Sequence, residues 1–250
     1  MHILSTTAAY PQHYYTQHDV IEALLPYWGS DASIGGVFAR LHKRTGVEGR
    51  YFARPLEEYA GLNTWGKTNN VWIEVAEELG ERAIDCALRQ AALKREQIGA
   101  IFFVSVTGVA SPSIDARLVN RMRLSPKIRR NPIFGLGCVA GAAGLARAAD
   151  YVRAYPDQVA VLLSVELCSL TWQRNDVSIA NLIATGLFGD GAAAVLVAGD
   201  QVPRRGPRIV ASDCVFFPDT EDVMGWDISE NGFRIVLSPE VPRVVRENLG

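Results

Sequence analysis

Of the four cysteines in the chain, Cys138 has the setting of a nucleophile. It lies in NPIFGLGCVAGAAGLARAADYVRA, where a short apolar run, two glycines, the cysteine and an amphipathic helical pattern follow one another. The spacing predicts a helix from Cys138 to Ala154, with Arg147, Asp150 and Arg153 on its wet face and Val139, Ala142, Ala146, Ala149 and Val152 on its buried face. A thiol at the start of such a helix meets unpaired N–H groups and the positive end of the macrodipole, which lower its pKa and favour the thiolate. Iodoacetamide is then expected to label Cys138 well below the pH of an ordinary thiol. Gly135, Gly137, Gly141 and Gly144 leave room for a substrate to approach the backbone. The residue also fits a second reading, a small buried cysteine packed like alanine.

A thiolate needs a base or a hydrogen-bonding partner, most often histidine. His2, His13, His18 and His42 all lie in the first fifth of the chain, none in a motif that points to Cys138, and each reads as a solvent-exposed loop residue. Cys86, Cys168 and Cys214 are far apart with no CxxC spacing, which suits neither a disulfide framework nor a zinc site. The letters GDGAAA (189–194) match the dinucleotide fingerprint, but that motif follows a strand and opens a helix, whereas this one follows a helix and feeds the strand AAAVLVAG. It predicts a tight turn with glycines at unusual φ, and places Phe188 either in the core or facing a cavity near Cys138. Arg40, Lys43 and Arg44, at i, i+3 and i+4, form a basic cluster with Arg50. The cluster is either a solvated helix face or a grip on the phosphates of a coenzyme A arm.

The elements that position these residues follow from composition and periodicity. With 48% hydrophobic residues over 250 positions the chain is too apolar to be disordered. Its 25 basic and 27 acidic residues leave a net charge of −2, no field for nucleic acid or an acidic membrane surface. The first residues lack a signal-peptide pattern, and no apolar run reaches the roughly 18 residues of a spanning helix, so a cytoplasmic protein without a membrane span is expected. No repeat or linker divides the chain, and one continuous domain over 1–250 is expected. Residues 1–70 read as irregular and mostly helical. An apolar stripe at Val71, Val75, Leu79, Ala83 and Ala87 predicts a helix over 71–93. Strands are predicted at 98–106, 158–165 and 192–199, alternating with helices at SPSIDARLVNRMR, at Cys138–Ala154 and around 178–185. Beyond Gly199, RIVASDCVFF and FRIVLS read as two more strands, and Ser238-Pro239-Glu240 as a helix start. Apolar strands separated by helices define an α/β fold, a sheet covered by helices on its faces.

Taken together, the sequence resembles the bacterial type III polyketide synthases of the chalcone/stilbene synthase family, within the thiolase-like superfamily, over nearly its whole length. The resemblance is carried by GLGCVAGAAGLARAADYVRA, SVELCSLTW (164–172), LFGDGAAAVLV (187–197), TGVASPSIDARL (107–118) and FPDTEDVMGWDISENGFRIVLS (217–238). It implies a layered αβαβα fold, with 1–200 as the core half and 201–250 as the beginning of a carboxy-terminal half. It implies that Cys138 accepts a starter acyl group from its CoA thioester and holds the polyketide as malonyl-CoA extends it by decarboxylative Claisen condensation. Phe188 matches the aromatic gatekeeper, Arg40 and Arg44, with Lys43 beside them, align with CoA-contacting basic residues, and Cys168 and Thr171 match cavity-lining positions. Ile235 falls where plant enzymes carry a second aromatic gatekeeper. An aliphatic residue there, with Cys168 nearby, favours a fatty-acyl starter and an alkylpyrone or alkylresorcinol product.

The resemblance further implies a homodimer and CoA thioesters as substrates with no cofactor. The family's oxyanion donors are a His and an Asn in the second half of the chain; the 250 residues end before either motif, and no histidine here matches. The expectation is the amino-terminal part of a longer enzyme, which would be acylated without extending the chain. Other readings are a split enzyme, a non-catalytic acyl-CoA binder or dimerisation partner, and a same-fold initiating ketoacyl synthase or hydroxymethylglutaryl-CoA synthase.

Overall fold

The run IGAIFFV has no polar side chain, so it is stable only as a strand covered on both faces. In the computed structural model, which describes residues 1–28, 32–203 and 206–248, this run is an inner strand of a mixed sheet. In chain order the elements are β1 (His2–Ala9), β2 (His13–Thr16), α1 (Gln17–Trp28), α2 (Ala32–Arg44), β3 (Gly49–Phe52), α3 (Trp65–Ala91), β4 (Ile98–Val104), α4 (Ile114–Arg121), β5 (Arg129–Ile133), α5 (Ala140–Ala154), β6 (Val159–Leu167), α6 (Ile179–Leu187), β7 (Asp190–Ala198), β8 (Met224–Ser229), β9 (Gly232–Leu237) and α7 (Val241–Asn248). They fall into two compact units, one of Met1–Pro11, Asn69–Leu167 and Asp190–Cys214, the other of Gln12–Thr68, Cys168–Gly189 and Val215–Gly250.

The first unit holds a five-stranded sheet in the order β1-β7-β6-β4-β5. β4 runs parallel to β5 and β6, and β7 runs antiparallel to β6 and β1. Successive side chains of a strand point to opposite faces, and the neighbours of β6 show it. Leu162 meets Gly144 of α5 while Leu163 meets Gly80 of α3. The α5 side buries Phe102, Val104, Ala148, Val152 and Leu162 as one cluster. On α3 the stripe Val75, Leu79, Ala83 and Ala87 is buried as its spacing requires. The hydroxyls of Ser5 and Thr7 on β1 donate to the α3 carbonyls of Ala87 (2.9 Å) and Ala83 (2.8 Å).

The second unit packs α1, α2 and α6 with the antiparallel pair β2–β3 and the hairpin β8–β9. Its core is aromatic: Trp28 lies edge-on to Phe38 and Trp172, and Phe233 lies edge-on to Trp65 and Trp226. Ser178 caps α6 by accepting the Asn181 N–H (3.3 Å).

Several expectations change. The described residues of 1–70 include three strands, and β1 belongs to the main sheet, because pairing with β7 outweighs a polar, weakly patterned sequence. RIVASDCVFF makes only an isolated bridge, Arg208 with His2, among the described residues, and Val210 (83%) and Phe216 (75%) are exposed. β8 was not expected; its polar, Gly-containing sequence MGWDIS is held by β9. The last helix starts at Val241, after a turn in which the Ser238 hydroxyl accepts the Glu240 N–H (3.1 Å). On α5 the buried residues are Ala140, Gly144, Ala148, Ala149 and Val152, while Val139 and Ala142 are exposed, because the glycine lets the helix settle on Leu162 and Val104. Gly189 and Gly191 are not at positive φ. They are small because Arg50 and Tyr10, respectively, lie close to where a Cβ would stand.

A Cβ at Gly144 would lie 2.6 Å from Leu162 Cδ1, whereas one at Gly141 meets nothing within 4 Å. Gly144→Ala is therefore expected to cost about 1–3 kcal/mol by overpacking, and Gly141→Ala to gain up to about 1 kcal/mol in helix propensity. Urea unfolding of the two variants checks both signs.

Candidate active site

The first unit places Cys138 at the edge of the sheet where parallel strands end. After β5 the backbone reverses through Gly135 (φ +89°) and Gly137 (φ +57°), left-handed values that favour glycine. Cys138 sits in the single 3-10 turn Gly137–Val139 that leads into α5, and it is exposed.

The neighbouring group is Glu166, near the end of β6. Its carboxylate accepts the Val106 N–H (3.1 and 3.2 Å), the Thr107 hydroxyl (2.7 Å) and the Ser105 hydroxyl (3.3 Å). Thr107 Oγ1 in turn accepts the Leu167 N–H (2.9 Å) and the Trp72 indole N–H (3.3 Å). Burial pushes the Glu166 carboxyl up to about 7 against these bonds, which favour the charged form. The thiol of Cys138 is also raised, first by burial of the sulfur and then by the Glu166 charge. The expectation of a lowered thiol pKa is thus reversed: the helix start is present, but burial of the sulfur opposes the thiolate and the nearby ionisable side chain is an acid. Glu166 escaped the sequence reading because only the pairing of β4 with β6 brings it to the Ser105–Thr107 segment.

The second unit contains a small pocket. Phe188, Cys168, Thr171 and Ile235 all line it. Cys168 and Thr171 bound one 3-10 turn, closed by the Thr171 hydroxyl donating to the Cys168 carbonyl (2.8 Å). Phe188 caps α6 in extended conformation (φ −93°, ψ 135°). Trp172, Trp226 and Asn181 also line the pocket and were not anticipated. Trp226 lies on β8, a strand the sequence hid. Asn181 is buried, its amide donating to the Gln173 (2.9 Å) and Asp176 (2.7 Å) carbonyls.

Arg40, Lys43 and Arg44 are exposed on α2, while Phe38 and His42 of the same helix are buried. Two expectations fail here. Arg50, grouped with the basic cluster, is only 6% exposed. His42 is no loop residue: it is fully buried, its Nε2–H donates to the Leu182 carbonyl (3.1 Å), and burial with the Arg50 charge lowers its pKa to about 4. The 3.6-residue period puts His42 beside Phe38 on the inner face, where helix packing decides its state.

The profile of chalcone and stilbene synthases, N-terminal domain, matches residues 1–201. The chain belongs to this family. Within the family it is 46% identical over 251 residues to the 1,3,6,8-tetrahydroxynaphthalene synthase of Streptomyces peucetius subsp. caesius, covering 99% of this chain and 66% of that protein. The solved tetrahydroxynaphthalene synthase of Streptomyces coelicolor A3(2), a bacterial type III polyketide synthase, matches with a TM-score of 0.92 at 32% identity, over 99% of this chain and 70% of that one. Germicidin synthase from Streptomyces coelicolor, also a type III polyketide synthase, matches with a TM-score of 0.88 at 25% identity, over 99% and 72%. The fold is the thiolase-like α/β arrangement of these family members. The chain spans about two thirds or less of the length of curated relatives it matches. Among the described residues, no helix is long and apolar enough to cross a membrane.

The folded Glu166 keeps its proton to about pH 7, whereas an unfolded glutamate loses it near 4.5. Its contribution to stability is therefore full below the unfolded pKa and is lost as pH rises through the folded one. Wild type is expected to lose about 3 kcal/mol more than Glu166→Gln between pH 4 and pH 8. Parallel curves from denaturant unfolding would contradict a Glu166 carboxyl raised in the folded protein.

Proposed function

We propose that this chain carries the acyl-loading nucleophile of a type III polyketide synthase. The observation behind this reading is the family match over residues 1–201, a range that includes Cys138 and the GLGCVAGAAG segment around it. Cys138 sulfur attacks the thioester carbonyl of an acyl-CoA, the new S–C bond replaces the old one, and the coenzyme A thiolate leaves with the proton from Cys138. Malonyl-CoA then loses CO2, and the resulting enolate carbon attacks the acyl group on Cys138, forming a C–C bond and releasing the sulfur. With its thiol pKa raised, Cys138 needs a proton acceptor when substrate binds. By resemblance, that acceptor and the donors for the developing negative charge are the family His and Asn.

In this reading Arg40, Lys43 and Arg44 bind coenzyme A phosphates. Phe188 gates the acyl chain, and Cys168, Thr171 and Ile235 set the room it has. The substrates are acyl-CoA and malonyl-CoA with no further cofactor, the partner is a second copy of the chain, and the compartment is the cytoplasm. Residues 1–200 are the core half and 201–250 the start of the carboxy-terminal half. The aliphatic Ile235 and Cys168 support a fatty-acyl starter and an alkylpyrone or alkylresorcinol product. A second reading is favoured by the 46% identity to a tetrahydroxynaphthalene synthase and by Trp172 and Trp226, whose indoles take up pocket space. It has a short acyl unit and a compact aromatic product.

Mass spectrometry after incubation with acetyl-, malonyl- or dodecanoyl-CoA tests both levels. One acyl group is expected on Cys138, absent in Cys138→Ala and retained in Cys168→Ala. Preferential transfer from dodecanoyl-CoA supports the alkyl product, and preferential transfer from malonyl-CoA the aromatic one. Acylation of Cys168 or Cys214 instead, or acceptance of coumaroyl-CoA alone, would overturn the reading.

A further inference from the structure

Helix α6 ends without the left-handed glycine that commonly satisfies the last carbonyls of a helix. Its C-cap is Phe188, in extended conformation, with the Phe188 N–H on the Ala184 carbonyl (3.1 Å). Side chains from three other elements do the remaining work. The Arg50 guanidinium donates to the Thr185 and Gly186 carbonyls and to Gln17 Oε1. Gln17 Nε2 donates to the Gly186 carbonyl (2.9 Å) and the His42 carbonyl (3.0 Å). His42 Nε2 donates to the Leu182 carbonyl. The fit is tight: a Cβ at Gly186 would stand 2.7 Å from the His42 ring, and one at Gly189 3.0 Å from Arg50 Cβ. A planar cation whose donors are fixed in a fork is the side chain best able to hold two successive carbonyls at the negative end of a helix.

The clamped turn is also a wall of the pocket, since Ala184, Thr185, Phe188 and Arg50 all line it. The geometry points to Arg50 as a positioning residue that, with Gln17, fixes the Phe188 wall of the pocket and so sets which acyl lengths it accepts. A glycine cap would satisfy the same carbonyls locally. The Arg50–Gln17 clamp instead lets an aromatic residue occupy the cap and holds that residue in one place. The inference rests on the reading of this pocket as the acyl site.

The test measures affinities of free coenzyme A and of butanoyl-, octanoyl- and dodecanoyl-CoA by calorimetry, in a Cys138→Ala background that prevents acylation. Arg50→Lys keeps the cation but loses the fork; Gln17→Leu removes the second donor and serves if Arg50→Lys does not fold. The expected result is that discrimination between the best and worst acyl lengths falls by about tenfold, the scale of a lost methylene-sized fit, while affinity for free coenzyme A stays within about twofold. Unchanged discrimination in a folded variant, or an equal loss for coenzyme A and every acyl-CoA, overturns the positioning role and leaves the acyl-site reading intact. Absence of any acyl-dependent binding in the Cys138→Ala reference overturns the acyl-site reading and the clamp's role with it.

Discussion

The half-buried carboxyl of Glu166 is the constraint on which the candidate active site depends. β4, β5 and β6 run parallel, so the Ser105–Thr107 segment, Cys138 and Glu166 all gather where those strands end, the edge at which open α/β sheets bind ligands. A carboxylate there is costly unless its oxygens are satisfied, and one backbone N–H and two hydroxyls satisfy them. The same bonds fasten the segment after β4 to the end of β6. Burial of the sulfur, and after it the acidic neighbour, disfavour the thiolate, so the Cys138 thiol is raised although it stands at a helix start.

The second unit answers a similar demand. The carbonyls at the end of α6 need donors, and Arg50, Gln17 and His42 supply them from inside the protein. Polar side chains thereby stiffen a pocket whose lining is otherwise largely aromatic and aliphatic. Arg40, Lys43 and Arg44 lie one helix face away from His42, so α2 serves the core and solvent at once.

Legibility in the sequence followed local strength of pattern. The α3 stripe, the strands around 98–106 and 158–165 and the helix after Cys138 carry long, consistent periodicities, and each forms as predicted. Phe188, Cys168, Thr171 and Ile235 were singled out by family resemblance, since no spacing in the sequence brings 168–188 to residue 235. β1 and β8 were hidden because their polar residues mask strand character that partner strands confirm. The burial of His42 and Arg50 was hidden for a related reason: a charged or ionisable letter reads as surface until helix packing shows which face it occupies. The upward shift of the Cys138 thiol comes first from burial and then from Glu166, 28 positions downstream, and neither is a local feature of the sequence.

The most direct measurement is the pH dependence of iodoacetamide alkylation at Cys138, followed by peptide mass spectrometry in wild type and Glu166→Gln. The expected result is an apparent thiol pKa above the ordinary value in wild type, falling when the carboxylate is removed. A wild-type Cys138 that titrates below ordinary thiols, or one that is unmoved by Glu166→Gln, would contradict a thiol raised by its surroundings with Glu166 among them.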